Sequence, residues 1–192
     1  MIVLILGLVI FLGAHSVRIY ADDWRESQIS RLGENTWKGL FSLVSLVGLA
    51  LIAIGFAQAK SAPIVLWFPP IALRHLAGLI TLLSFVLLVA AYLPGTRIKA
   101  KLGHPMVAGV KGWAFAHLLA NGNLADVLLF GSFLIWGVLD FSSARRRDRA
   151  AGTVYPDGTL NRDVTAVVLG LIAWAIFAFY LHGWLFNIRP FG

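Results

Sequence analysis

Long stretches without charged side chains constrain this sequence more than any other feature. Residues 39–59 contain no charged side chain, and residues 1–20, 71–93, 124–141 and 164–186 are mostly apolar. A helix needs about 20 apolar residues, or about 17 at the lower limit, to span the hydrocarbon core of a bilayer. Each of these stretches therefore predicts a transmembrane helix.

A sixth, shorter apolar stretch covers residues 105–120 and contains Lys111. We interpret it as a further helix, because a lysine near a helix end can extend its ammonium group to the membrane surface. The predicted fold class is an all-α integral membrane protein in which six transmembrane helices form a compact bundle. Residues 1–192 are expected to form a single domain.

The overall composition supports a membrane protein. Hydrophobic residues make up 59% of the chain and charged residues 13%, whereas soluble domains carry about 25% charged residues. So little charge excludes both a soluble globule and a disordered chain. The sequence has no cysteine, which excludes iron–sulfur clusters, thiolate-ligated or covalently attached haem, and disulfides.

The net charge of +7 would suit a nucleic-acid-binding protein, but its distribution indicates a membrane topology instead. With six spans, 13 of the 16 basic residues lie at the first, third and fifth connections or the adjoining helix ends, and 3 lie on the other face. The positive-inside rule then places both termini outside, in the periplasm. We therefore expect a multi-pass protein of the bacterial inner membrane whose partners are lipids and not nucleic acid.

Two stripes of small residues predict close contacts between helices. Small side chains allow helix backbones to approach each other in lipid, where the hydrophobic effect does not drive association. The first stripe consists of Ser45, Gly48 and Gly55, and the second of Gly109, Gly112 and Ala116.

Polar side chains within the membrane are costly, and they are therefore candidates for function. The candidates are His15, His75, His117 and His182, together with Asn121, Asn123 and Asp126. His75 and His182 lie near the outer ends of their predicted helices, where an imidazole reaches the lipid headgroups. We expect these two histidines to be interfacial.

His15 and His117 lie deeper. At 1.5 Å per residue, His15 is about 8 Å from the end of its helix at Tyr20, and His117 is about 9 Å beyond Lys111. The two imidazoles share one depth if their helices are neighbours. Two neutral histidines on facing helices could then hold a b-type haem, contribute to a zinc site, relay protons, or form hydrogen bonds between the helices.

Three segments resemble the NnrU family of membrane proteins. They are GHPMVAGVKGWAFAHLLANG at residues 103–122, AHS at residues 14–16 and LFGSF at residues 129–133. The resemblance implies a link to denitrification and to nitrite and nitric oxide reduction. The family is related to 15-cis-zeta-carotene isomerase, an integral membrane protein that contains haem b.

The resemblance also implies roles for individual residues. The haem-associated histidines of the isomerase match His15 and His117, and a further histidine matches His104. A cysteine three residues before the second haem histidine corresponds to Ala114, and a downstream histidine corresponds to Trp136. The missing cysteine argues against redox-switched isomerisation but is compatible with haem held by two histidines.

We therefore predict that haem b is bound through His15 and His117, with His104 and Trp113 also in contact with the cofactor. For His104, a role in capping the following helix is the alternative. Redox or isomerase-like chemistry would act on a small lipophilic substrate, with respiratory or nitrogen-oxide reduction components as partners. Two alternatives stay open: a non-catalytic accessory protein for assembly or regulation of nitrite and nitric oxide reduction, and a helical bundle that handles protons or solutes.

Overall fold

The structure is a computed structural model that describes residues 1–191, and these residues form helices and loops without a β-strand. The helices are α1 (Ile2–Tyr20), α2 (Asp22–Leu32), α3 (Glu34–Ser61), α4 (Ile71–Tyr92), α5 (Arg97–Leu102), α6 (Pro105–Ala120), α7 (Leu124–Ala151), α8 (Leu160–Ile176) and α9 (His182–Phe186). A π-helical turn, Phe177–Leu181, joins α8 to α9.

Within residues 1–191, five segments are long and apolar enough to cross a membrane: α1, α3, α4, α7 and the continuous segment from α8 to Phe186. Helix α6 has 16 residues and is about 24 Å long, which is shorter than a typical span. It agrees with the predicted sixth apolar segment in its bounds. The chain is thus a multi-pass helical membrane protein with five clear candidate spans.

Two helices extend further than the apolar pattern predicted. Helix α3 begins at Glu34 and α7 continues to Ala151, past its apolar part. The added turns of α7 are rich in arginine and alanine, which favour helix, so this helix does not end where the apolar residues do. The connecting helices α2 and α5 were not predicted, because α2 is mostly polar and α5 has only 6 residues.

The chain divides by its internal contacts into two units. Unit 1 comprises Met1–Phe68 and Gly122–Asp140, and unit 2 comprises Pro69–Asn121 and the residues from Phe141 onward. That residues 1–192 form one domain stays a prediction, and Gly192 lies outside the described residues.

In unit 1, α1 packs tightly against α3, as the first stripe of small residues predicted. A Cβ atom on Gly48 would meet the backbone of Phe11 at 2.8 Å, and one on Gly55 would meet the backbone of Leu4. Residue numbers along α1 rise as those along α3 fall, so the two helices are antiparallel. This contact fixes the height of α1 relative to α3, and with it the position of His15.

The end of α3 and the start of α7 are joined by a buried ion pair in unit 1. Lys60 Nζ lies 3.1 Å from Asp126 Oδ2, and Asn123 Nδ2 donates to the same oxygen at 2.9 Å. The side chain of Asp126 is 2% exposed. The loop after α3 also forms backbone hydrogen bonds with the residues just before α7, including one of 2.7 Å from Leu66 N–H to the Gly122 carbonyl.

In unit 2, α4 packs against both α6 and α8. Cβ atoms on Gly109 and Gly112 would meet the Ser84 carbonyl at 3.0 Å and the Ser84 hydroxyl at 2.5 Å, which confirms the second predicted stripe as a packing surface. On the α8 side, Trp174 Nε1 donates to Thr81 Oγ1 over 3.1 Å. These contacts hold α6 and its histidine against α4.

Candidate functional site

His15 is fixed within α1 by one ring nitrogen. Its Nδ1 lies 2.7 Å from the backbone carbonyl oxygen of Phe11, one turn earlier. A carbonyl only accepts hydrogen bonds, so Nδ1 carries the proton and the lone pair of the neutral ring is on Nε2. Among the described residues, no group forms a hydrogen bond with this Nε2.

Aromatic rings surround His15 within unit 1. The Phe11 ring stacks on the imidazole with a centroid distance of 4.2 Å, and Phe41 of α3 approaches it edge-on at 5.0 Å. Trp136 of α7 is perpendicular to it at 6.0 Å. The imidazole is therefore oriented both by a backbone hydrogen bond and by apolar contacts.

His117, in the last turn of α6 in unit 2, has the same local arrangement. Its Nδ1 lies 2.9 Å from the carbonyl oxygen of Trp113, and the Trp113 ring is 5.2 Å from the imidazole centroid. Asn121 Nδ2 in turn donates to the His117 carbonyl at 2.9 Å. As in His15, the hydrogen bond assigns the proton to Nδ1 and the lone pair to Nε2.

This arrangement is the one that metal-binding histidines use. A ligating histidine donates its other ring N–H to a carbonyl or carboxylate, which fixes both the tautomer and the ring orientation. The predicted pair thus shares one geometry: an aromatic residue four positions earlier, Nδ1 bound to that residue's carbonyl, and the lone pair on Nε2. Residues 1–191 contain no group of three or more histidine, aspartate or glutamate side chains able to hold a metal ion.

Two buried polar atoms in unit 1 lack a hydrogen-bond partner among the described residues: Trp136 Nε1 and Ser45 Oγ. Trp136 contacts the His15 ring directly. Ser45 lies one turn along α3 from both Phe41, which contacts His15, and Gly48, which contacts Phe11. Unsatisfied buried polar groups are rare in native proteins, so these two atoms need a partner that the described residues do not provide.

His104 differs from the other two histidines. It is the N-cap residue of α6 and precedes Pro105, as the alternative interpretation expected, but its side chain makes no capping hydrogen bond. Its Nε2 instead lies 2.8 Å from Asp148 Oδ2, and the Tyr155 hydroxyl donates to the same oxygen at 2.9 Å. The His104 side chain thus connects the start of α6 to the end of α7 within unit 2.

The loop that follows α7 completes this cluster. Burial and the hydrogen bond to Asp148 both raise the pKa of the Tyr155 phenol, while Arg145 lowers it. Gly103 has a φ of +72°, and a Cβ atom there would meet the Tyr155 ring at 2.9 Å. Sequence analysis missed this cluster because its members are far apart in the chain, although the turn residues after Tyr155 and the glycine before His104 mark the two loops.

The remaining polar candidates have separate surroundings. His75 is exposed on α4, and His182 Nδ1 donates a hydrogen bond to the Ile188 carbonyl oxygen over 2.7 Å. Asn123 and Asp126 belong to the ion pair with Lys60 and not to the surroundings of His15. They therefore serve the packing of unit 1.

A comparison with known protein families identifies one that matches nearly the whole chain. The sequence model of one protein family, described as NnrU protein, matches residues 3–190. The chain belongs to the NnrU family. No curated protein and no solved structure matches it. The family match spans both histidines with the backbone-bound Nδ1, as well as the His104 cluster.

Proposed function

We propose that this NnrU-family protein binds haem b through His15 and His117 and uses it in redox or isomerase-like chemistry. The observation that carries the proposal is the shared geometry of the two imidazoles: each Nδ1 donates to the carbonyl four residues earlier, so the lone pair of a neutral ring is on Nε2. Two such imidazoles are the axial ligands that a b-type haem takes, and no covalent link through cysteine is needed.

The surroundings of these histidines fit a large, flat, apolar cofactor. Phe11, Phe41 and Trp136 line His15, and Trp113 adjoins His117. When bound, haem would supply a one-electron redox centre. The chain's own residues hold the two imidazoles in fixed orientations. Away from water, electrostatic interactions at this site would be stronger than at the protein surface.

The proposal includes a topology. We infer six spans with both termini in the periplasm of a bacterial inner membrane, and the distribution of basic residues supports this inference. Helix α6 is the short sixth span, and Lys111 in its middle can extend toward the cytoplasmic side. Its ammonium group is 3.8 Å from the Phe141 ring centroid. Haem binding through both histidines requires α1 and α6 to be neighbours.

The resemblance to the carotene isomerase and to denitrification proteins supports the choice of chemistry. A haem in the membrane suits a small lipophilic substrate or an electron partner of nitrite or nitric oxide reduction. Ala114 has no thiol to serve as an alternative iron ligand, so a chemistry with constant ligation by two histidines fits this chain better.

An absorption spectrum tests the cofactor. Protein expressed with ample haem and purified in detergent should show a Soret band and, after reduction with dithionite, sharp α and β bands typical of low-spin haem. The pyridine haemochrome should give about one haem per chain. A folded preparation that was expressed with excess haem and still shows no such bands would refute haem binding.

Reporter fusions test the topology. A reporter after Arg147 should report cytoplasm, and reporters at the two termini should report periplasm. A cytoplasmic signal from the C-terminal fusion would contradict the six-span count.

A further inference from the structure

We propose that Trp136 donates its indole N–H to a haem carboxylate, with the Ser45 hydroxyl as a second donor on the facing helix. This inference rests on the proposed haem. It adds which residues would hold the edge of the cofactor. Both residues would act as positioning residues.

The first observation is the indole nitrogen itself. Trp136 Nε1 is buried and has no acceptor among residues 1–191, although its ring lies against His15. An indole N–H can only donate, so the missing partner must be an acceptor. Leaving such a donor unsatisfied in an apolar interior has a substantial free-energy cost, which a bound acceptor removes.

The second observation is the register of α1 against α3. Gly55 meets Leu4, and Gly48 meets Phe11, so each step along α1 matches an equal step back along α3. This register places Ser45 opposite residue 14, at the height of His15. Ser45 is three residues before Gly48 and shares its face of α3, which is the face against α1. Its hydroxyl is also without a partner.

The chemistry of the missing partner follows from the donors. Trp136 and Ser45 both offer hydrogens beside an imidazole whose Nε2 would hold the iron, so the acceptor belongs to the same bound group. Haem b carries two carboxylates and no other strong acceptor at its edge. A hydrogen bond from a neutral N–H to a carboxylate is stronger than one between neutral groups, especially away from water.

A cycle of variants and cofactors tests the inference. Wild-type protein and Trp136→Phe are each loaded with protohaem or with its dimethyl ester, and the rate of haem transfer to apomyoglobin is measured. Trp174→Phe is the matched control, because the Trp174 indole N–H already donates to Thr81. Trp136→Phe should release protohaem at least about tenfold faster than wild type, and Trp174→Phe should not.

Esterification should remove most of this difference, because the carboxylate no longer accepts a charge-assisted hydrogen bond. Ser45→Ala should show the same dependence with a smaller effect. An equal effect of Trp136→Phe on both forms of the cofactor would overturn the inference while leaving haem binding intact. Wild-type protein that binds neither form would overturn both proposals.

A spectroscopic measurement on wild-type protein avoids any effect of the substitution on folding. The ultraviolet resonance Raman band that reports indole N–H hydrogen bonding should shift between apoprotein and protohaem-loaded protein. It should shift less with the dimethyl ester. An identical shift for both cofactor forms would overturn the carboxylate as acceptor.

Discussion

The histidine just before α6 and the histidine in its last turn are bound through different ring nitrogens. At the start of the helix, His104 uses Nε2 to bind the Asp148 carboxylate, which also accepts from Tyr155. In the last turn, His117 uses Nδ1 to bind the Trp113 carbonyl, as His15 does with Phe11 in α1. The first hydrogen bond joins two segments of the chain, whereas the second joins residues of one helix.

This difference separates structural from functional polar groups. A side chain whose partner is a distant carboxylate stabilises the tertiary fold, as in the His104–Asp148 and Lys60–Asp126 pairs. A histidine bound to the carbonyl one turn earlier stabilises no tertiary contact through that bond. The bond holds the ring in one orientation, which the proposed haem site would require. Substitutions in the two classes should therefore affect different properties of the protein.

The largest expected effect is on haem content. His15→Ala and His117→Ala should each lose nearly all haem, measured as pyridine haemochrome per purified chain, because each removes one axial ligand. His104→Ala should keep its haem, since its ring is committed to Asp148.

His75→Ala and His182→Ala are the matched controls for this experiment. Both remove a histidine from a candidate span. Neither histidine has its Nδ1 bound to the carbonyl one turn earlier. Full haem content in His117→Ala would show that the ligand assignment is wrong. Loss of haem in His104→Ala with an unchanged fold would erase the distinction between the two classes.

The next largest effect concerns the buried ion pair of unit 1. Lys60→Met leaves the Asp126 carboxylate buried with Asn123 as its remaining partner, which should lower the free energy of unfolding by about 3 kcal/mol. Asp126→Asn should lower it by only about 1 kcal/mol, because Lys60 is partly exposed and stays solvated. Reversible unfolding in mixed micelles measures both values. An equal loss in the two variants would contradict this asymmetry.

A smaller effect is expected at the His104 cluster. His104→Ala and Asp148→Asn should each lower the Tm in detergent by a few degrees, because the pair is partly exposed and water screens it. The double variant should be little worse than either single variant, since both remove the same contact. Additive losses would indicate that the two side chains act independently.

Much of the fold was predictable because the bilayer imposes one strong requirement, a continuous apolar stretch. Residues 71–93 and 105–120 match α4 and α6 closely, and the stripes with Gly48 and Gly109 mark real packing surfaces. The polar helix α2 and the final turns of α7 were missed, since hydropathy does not identify a helix outside the membrane. There, intrinsic helix propensity and local hydrogen bonds decide the structure.

The candidate site was predictable in part for a similar reason. A histidine in an apolar stretch is conspicuous, so His15 and His117 could be singled out from the sequence. Trp136 could not, because an indole in a membrane helix is common and only its buried, unsatisfied nitrogen makes it unusual. The Asp148 partner of His104 was also hidden, since arginines surround it in the sequence and suggest a solvated charged segment.

The smallest predicted effect is a titration. Burial and the hydrogen bond to Asp148 raise the pKa of Tyr155, so its phenolate should form above pH 10, the usual value for tyrosine. Because the folded-state pKa exceeds the unfolded one, this contribution to stability is complete below about pH 10 and is lost as the pH rises through the folded-state pKa. Ultraviolet difference absorbance of wild type minus Tyr155→Phe isolates this residue from the other tyrosines. Asp148→Asn should move the transition to lower pH, and an unchanged transition would mean that Asp148 does not hold the phenol.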